Sequence, residues 1–382
     1  MGTDHEGAST TSWELGGVVG SGPKHDPLAR LRSPDDPSFD VFLSGMVFLD
    51  IIFTGLESGP VLGTEVYTEG MGSSPGGAAN MATALSRLGL RTSLAAAFGD
   101  DVYGRFCWQT LADQEGVDLS VSRRFAHWHS PVTVSLAYDA DRSMVTHGHD
   151  SPLCADEMIQ QPPASRACFI DLAEDGEQDW PAKAKAAGSL IFADVGWDPT
   201  EQWSSHLLDN LALCDVFMPN ESEATAYTRT DSLKAAARKL AEHVPLAVVT
   251  GGAKGAVAID AGSGEEVEAG ALPVDALDAT GAGDVFAAGF ATATLAGWPL
   301  LDRLRFANLC AALSVQHFGG SLSAPGWADI AAWWQVAKRV PGLGEVARKY
   351  RFLEEVVPGG PVEEVRRATA TVGFETEGLT DH

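Results

Sequence analysis

Asp278-Ala279-Thr280-Gly281-Ala282-Gly283-Asp284 runs without a break into the apolar stretch Val285-Phe286-Ala287-Ala288-Gly289-Phe290. Glycines directly before a helix let the backbone approach an anion closely, and the first helical N–H groups, which have no intrahelical acceptor, can bind phosphate oxygens. Gly281, Ala282 and Gly283 therefore form a candidate anion hole. Asp284 adds a carboxylate at the same helix start, where the helix dipole favours its ionised form, so it can take the proton of an attacking hydroxyl. Read alone, the turn is equally well a capped helix start with packing glycines. The rest of the chain narrows the choice: it has no G-x-x-x-x-G-K-[ST] and no G-x-G-x-x-G after the first strand, which removes the common nucleotide-hydrolase and dinucleotide readings.

Upstream of this turn, short apolar runs alternate with amphipathic ones. Strands are expected at Val41–Val47, Ser93–Phe98, Ala167–Ile170, Leu190–Asp194, Val216–Met218 and Ala247–Thr250. Helices are expected at Ala78–Leu88, Tyr103–Glu115, Pro181–Ala187, Trp203–Leu211 and Ser232–His243. That alternation implies an α/β fold, a mostly parallel sheet covered on both faces with ligands at the carboxyl ends of its strands. Two segments depart from it and read as hairpins of a small separate sheet, one over about Leu49–Gly70 and one over Val132–His147 across the turn Asp139-Ala140-Asp141-Arg142. Together they make a candidate lid, spanning about 49–72 and 130–149. Residues 1–38, rich in Gly, Ser, Pro and Asp, read as a mobile tail, and 336–382 as a charged, proline-interrupted extension.

The totals exclude several partners. The 52 acidic against 26 basic residues give a net charge of −26, which repels nucleic acid backbones and anionic lipid over most of the surface. The most apolar helix, Val285–Gly297, is too short to span a bilayer. The five scattered cysteines form no C-x-x-C pair, and the N-terminus lacks the basic and apolar regions of a secretory signal, so reduced thiols in a cytoplasmic protein are expected. His127, His129, His147 and His149 have no metal-ligand spacing.

The Asp278–Asp284 run resembles the C-terminal signature of the ribokinase-like (PfkB) family of carbohydrate kinases, D-T-x-G-A-G-D, with Ala279 in place of the usual Thr. Gly76-Gly77-Ala78-Ala79-Asn80-Met81-Ala82, with Gly89 and Gly99 beyond it, is similar to the family's N-terminal signature. The resemblance covers about Phe39 to Pro325 and implies a three-layer α/β/α sandwich with a small β-sheet lid, transferring the terminal phosphoryl group of ATP to a sugar hydroxyl. It implies Asp284 as catalytic base beside the Gly281–Gly283 anion hole. Gly76 and Gly77 bring a helix start close to the acceptor, and Asn80 offers it a donor and an acceptor. Gly45-Met46-Val47-Phe48-Leu49-Asp50 resembles the family's first strand, whose closing Asp binds substrate hydroxyls, and so assigns that role to Asp50. Asp101, in Gly99-Asp100-Asp101-Val102-Tyr103-Gly104, is read as structural.

Asn220-Glu221-Ser222-Glu223 resembles the family's N-x-x-E motif, which orients Mg²⁺ and phosphates partly through water, although a capping box needs the same residues. Thr250, Gly252 and Gly255 resemble its nucleotide loop, where a tight turn would serve equally. Asn308 falls where the family places a residue near adenine. Asp278, Thr280, Gly319 and Ser323 resemble a loop that in many members holds a monovalent cation, K⁺, and several relatives pair their lids in a homodimer. The rival readings are a nucleoside kinase of the same fold and a catalytically silent binding protein.

Overall fold

The computed structural model describes residues 22–138, 141–172, 178–196, 202–204 and 206–368. In chain order its strands are β1 (Phe39–Ser44), β2 (Val47–Thr54), β3 (Gly70–Gly77), β4 (Thr92–Ala95), β5 (Ala97–Gly99), β6 (Arg123–Phe125), β7 (Val132–Tyr138), β8 (Asp141–His147), β9 (Ser165–Asp171), β10 (Leu190–Asp194), β11 (Val216–Phe217), β12 (Leu246–Thr250), β13 (Ala256–Asp260) and β14 (Glu266–Ala269). The main sheet has eight strands in the order β14-β13-β12-β11-β10-β9-β1-β4. Every pairing from β4 to β12 is parallel, and only the β12-β13-β14 edge is antiparallel.

Alternate residues of the buried strands feed two separate cores. Val41, Leu43, Phe169, Phe192 and Val248 pack toward the helices Ala78–Arg87, Ala282–Leu295, Leu300–Ser314 and Trp327–Arg339. Phe42, Cys168, Ile170, Ile191, Phe217 and Val249 pack on the opposite side with Trp180, Leu211, Ala224, Tyr227 and Leu240. Period-two side-chain alternation in strands without a solvent face thus produces the three-layer sandwich. All five cysteines are free and four are buried. Among the described residues no helix is long and apolar enough to cross a membrane.

The lid is a second sheet, β3-β2-β7-β8. The second expected hairpin forms, β7 with β8; the first extends past its expected end at Gly70, its return arm β3 running from Gly70 to Gly77, and β2 joins the two by pairing parallel to β7; residues 139 and 140 of the second turn lie outside the described residues.

Several boundaries differ from the sequence reading. The run expected as one strand, Val41–Val47, breaks at Gly45-Met46, so Asp50 sits in the middle of lid strand β2 rather than at the end of the first strand. Ser93–Phe98 likewise divides into β4 and β5, the latter pairing with β6. The helix expected over Tyr103–Glu115 covers Val102–Gln109 and then widens, Glu115 N–H reaching Thr110 O at 3.0 Å.

Of the stretch read as a mobile tail, residues 22–38 lie against the domain: Leu28 is fully buried, and Arg32 and Arg91 both bind Asp40, whose side chain is wholly enclosed. A buried carboxylate needs such partners, which holds this segment in place. At the other end, the chain through Ala368 returns along the sandwich, with Glu363 N–H donating to Pro23 O at 3.4 Å.

Candidate active site

The crevice between lid and main sheet is organised around Asn80. Lid strand β2 places Asp50 opposite Ser74 on β3 and Thr133 on β7. Gly76 must lack a side chain, because a Cβ there would fall inside the Asp50 carboxylate. Gly77 then turns the chain from β3 into the helix Ala78–Arg87, with Ala78 N–H donating to Met46 O at 2.9 Å. That turn places Asn80 on the first helical turn, only 5% exposed. Its Nδ2 donates to Asp284 Oδ2 at 3.0 Å, while its Oδ1 is buried without a partner, as is Ser74 Oγ.

Asp284 lies in the first turn of the helix Ala282–Leu295, capped by Gly281 in the left-handed region at φ 74°. A Cβ on Gly281 would come within 3.1 Å of Asn80 Cγ, so positive φ and close approach both demand glycine there. Asp284 sits at the floor of the crevice, and burial raises its pKa to about 6 against the lowering effect of the Asn80 hydrogen bond. Of the three anion-hole residues, Ala282 has its N–H turned back to Ala279 O at 3.2 Å. Any phosphate reaching it displaces that long bond.

Three further carboxylates form an acidic group at the strand ends, linked to Asp284 through Asp194. Asp194 at the end of β10 has its pKa raised well above the usual range by burial, and then by the charges of Glu223, Asp284 and Asp171. Burial also raises Glu223 and Asp171. The sequence reading passed over Asp171 and Asp194. Their one signal is position: each is the last residue of a parallel strand, the end where this class of sheet binds ligands. Asn220 and Glu223 do form the capping box, Glu223 N–H to Asn220 Oδ1 at 3.0 Å and Asn220 N–H to Glu223 Oε2 at 2.9 Å. The box leaves Glu223 in the acidic group. Among the described residues no three side chains converge as a ready metal cage. Hard carboxylate oxygens, their pKa values raised first by burial and at Asp194 and Glu223 also by neighbouring carboxylates, suit a divalent ion that keeps most of its water.

The expected nucleotide positions lie further along the sheet. Thr250 ends β12 and bridges to Asn220, its N–H donating to Pro219 O at 3.1 Å. Gly252 and Gly255 bound a tight turn closed by Gly251 N–H to Gly255 O at 2.7 Å. Asn308 is buried and uses its Nδ2 on Ala269 O at 3.0 Å and Gly270 O at 3.3 Å, tying its helix to the end of β14. Asp101 has the structural role expected of it, accepting from Gly104 N–H and Ser130 N–H at 2.7 Å each. His129, His147 and His149 stack edge to face beside the lid.

Asp278 and the Gly319–Ser323 loop close the crevice beside lid strand β3, Ser321 Oγ donating to Pro75 O. Asp278 Oδ1 accepts from Thr280 N–H at 2.9 Å and Oδ2 from Gly319 N–H at 3.3 Å. A Cβ on Gly320 would lie 3.0 Å from Asn80 Oδ1, 3.5 Å from Ser74 Oγ and 3.6 Å from Asp50 Oδ2, so this loop abuts the same residues as the lid.

The structure therefore joins Asp50, Gly76, Asn80, Gly281, Asp284 and the 319–323 loop into one site. Comparison with known proteins points the same way. Residues 46–327 match the family described as pfkB family carbohydrate kinase. A fructokinase of Klebsiella pneumoniae is 32% identical over 278 residues, 66% of this chain and 89% of the relative. A nucleoside kinase of Methanothermobacter thermautotrophicus is 29% identical over 263 residues, 65% of this chain and 81% of the relative. The solved structure of Arabidopsis thaliana ribokinase complexed with ribose and ATP aligns at a TM-score of 0.63 and 24% identity, covering 78% of this chain and 98% of that one.

Proposed function

The chain belongs to the pfkB family of carbohydrate kinases, and from that premise we propose that it transfers the terminal phosphoryl group of ATP to a hydroxyl of a free sugar. The observation that carries this reading is the reach of Asn80, which donates to Asp284 through Nδ2 and turns a buried, unpartnered Oδ1 toward Gly320 and the lid side of the crevice. One side chain thereby links the base to the acceptor site. Unpartnered buried oxygens are costly unless a ligand satisfies them. Asn80 Oδ1 and Ser74 Oγ, grouped with Asp50 around Gly320, are matched by the hydroxyl groups of a polyol.

In the proposed reaction Asp50 and Asn80 hold the acceptor, and Asp284, ionised above about pH 6, receives the proton of the attacking hydroxyl. The N–H groups of Gly281 to Asp284 receive the charge that develops on the phosphate oxygens. Magnesium bound with the nucleotide supplies charge neutralisation on the phosphates; Asp194, Glu223 and Asp171 are the residues that would hold it, largely through water. The lid, closing over the crevice, excludes water that would otherwise compete as nucleophile.

A nucleoside acceptor is the second reading, favoured by one feature. Met46, Ala96, Trp128, Leu153 and Met158 line a largely apolar cavity of about 190 Å³ at the ends of β1 and β4, which suits a base better than a polyol. A product assay over ribose, fructose, deoxy-keto sugar acids and nucleosides separates the two. Phosphorylated free sugars are expected. Turnover of nucleosides alone would transfer the assignment to the second reading, and ATP binding with no phosphorylated product would leave only a silent homologue.

A further inference from the structure

Lid strand β3 carries glycine at positions 70, 72 and 76. Glycine inside a strand weakens it, and its usual reason is that another group must come close to the backbone. At Gly76 that group is the Asp50 carboxylate. At Gly72 it is an aromatic ring: φ there is not in the left-handed region, but a Cβ would overlap the edge of Phe318 at Cε2 and Cδ2.

Phe318 stands in the main body, between the helix Leu300–Ser314 and the loop Gly319–Ala324. It packs into neither hydrophobic core and is only half-buried. Its edge is taken by Gly72, so the face of the ring has surface open to a ligand. The loop that follows is firmly held, because every carbonyl from Gly319 to Ala324 accepts a hydrogen bond. Two arginines supply four of these bonds. Arg87 Nη1 donates to Leu322 O at 3.1 Å and to Ala324 O at 2.7 Å, and Arg367 Nη1 donates to Ser323 O at 3.0 Å and to Ala324 O at 3.2 Å.

Gly72 lies opposite Ile52 on β2, which in turn lies opposite Ser135 on β7. The next row of the same lid face holds Ser74, Asp50 and Thr133. Ile52 is fully buried and, like Phe318, belongs to neither core. Cross-strand neighbours on one face are about 5 Å apart, so a ring seated on Gly72 reaches Ile52. The crevice thus has two unlike ends. Ser74 Oγ and Asn80 Oδ1, both buried and unpartnered, mark with Asp50 the polar end, and Ile52 and Phe318 mark the apolar one.

We propose that Phe318 is a specificity-determining residue of the acceptor site. Its ring closes the pocket beside Ile52 and receives a C–H face of the sugar, whose hydroxyls meet Asp50, Ser74 and Asn80. Aliphatic hydrogens favour the electron-rich face of an aromatic ring. A wall one row of the lid away from Asp50 admits a single compact sugar and turns away one with a bulky substituent at that end. This inference rests on the kinase reading and adds to it the size and polarity of the acceptor.

The test uses the full chain with ribose and fructose and reads acceptor binding in two ways, as KM in turnover and, without ATP, as the rise in unfolding temperature that either sugar produces. Phe318→Ala is expected to raise the acceptor KM, and the sugar concentration needed for a given rise in unfolding temperature, about tenfold with the ATP KM unchanged. Phe318→Leu, which keeps apolar bulk, recovers part of the loss. For a bulkier acceptor such as a nucleoside, kcat/KM relative to the free sugar is expected to increase about tenfold in Phe318→Ala. Equal sugar affinity in the wild type and Phe318→Ala overturns the proposal and leaves the kinase reading intact. Neither binding nor turnover of either sugar removes the free-sugar reading and this inference with it. The seat of the ring is checked without any sugar: Gly72→Ala is expected to lower the unfolding temperature of the wild type and to do so much less in the Phe318→Ala background. An equal loss in both backgrounds means that ring and strand do not meet, and overturns the proposal.

Discussion

The start of the helix Ala282–Leu295 and the loop Gly319–Ala324 both abut Asn80, yet they treat their backbone in opposite ways. At the helix start, first-turn N–H groups have no intrahelical acceptor, and Asp284 is held where burial opposes its charge. In the loop, each carbonyl has a donor and the two arginines are balanced by Glu115 and Asp329. Polar groups left unsatisfied are poised for a ligand, and groups fully satisfied are architecture. Mutations on the two sides should therefore damage different properties.

The largest expected effect is on the helix side. Asp284→Asn should cost about 10²–10⁴-fold in kcat, the range of a positioned general base, while stability at neutral pH rises. The sign follows from the pKa: a folded value of about 6 lies above the ordinary carboxylate value, so Asp284 favours the folded state at low pH and that contribution is lost as pH rises through 6. Relieving it is worth on the order of 1–2 kcal/mol after solvent screening at the crevice. Thermal melts of both proteins from pH 4 to pH 8 (about the span in which the group titrates) should diverge as pH increases. Parallel curves would remove the buried charge from the account.

On the loop side, Arg87→Leu should act on stability first, by about 3–5 kcal/mol, because it leaves Glu115 buried and uncompensated. Arg87→Leu combined with Glu115→Leu should regain much of that loss in denaturant melts. If the double variant is no more stable than the single, the ion pair is not what braces this side.

How much of this contrast the sequence displayed depends on how local each part is. The helix-start geometry was legible because Gly281 to Asp284 are contiguous and the positive φ of Gly281 is a property of one residue. The parallel sheet was legible from strand and helix alternation. The β13 and β14 edge was not: Ala256–Asp260 and Glu266–Ala269 are short strands among Gly and Glu, in which no period outlasts a few residues. Asp171 and Asp194 look like any strand-final Asp until β9 and β10 pair in parallel with those two residues in register. The hydrogen bonds of Arg87 and Arg367 to this loop were hidden for a different reason, since the two meet only through carbonyls far from both in sequence, and backbone acceptors carry no residue signature.

Asn80 couples the two sides, and its removal should have an intermediate effect. Its amide lowers the Asp284 pKa against burial, so in Asn80→Ala the acid limb of kcat/KM should move upward from about pH 6 by on the order of one unit. The acceptor KM should rise in the same variant. A lower KM with an unmoved limb would place Asn80 outside both roles.

The smallest effect sharpens the comparison most. Gly283 is exposed, does not need positive φ, and a Cβ on it meets nothing within 4 Å. Alanine there suits a helix better than glycine, so Gly283→Ala should stabilise the protein by about 0.5–1 kcal/mol. A helix start kept for packing would therefore have no reason to carry glycine at this position. If phosphate oxygens come against the Gly283 N–H, the added methyl stands in their way, and a more stable enzyme should turn over more slowly with a raised ATP KM. Stability and turnover rising together would mean that the phosphates approach elsewhere, and that the open backbone at this helix start has no ligand of its own.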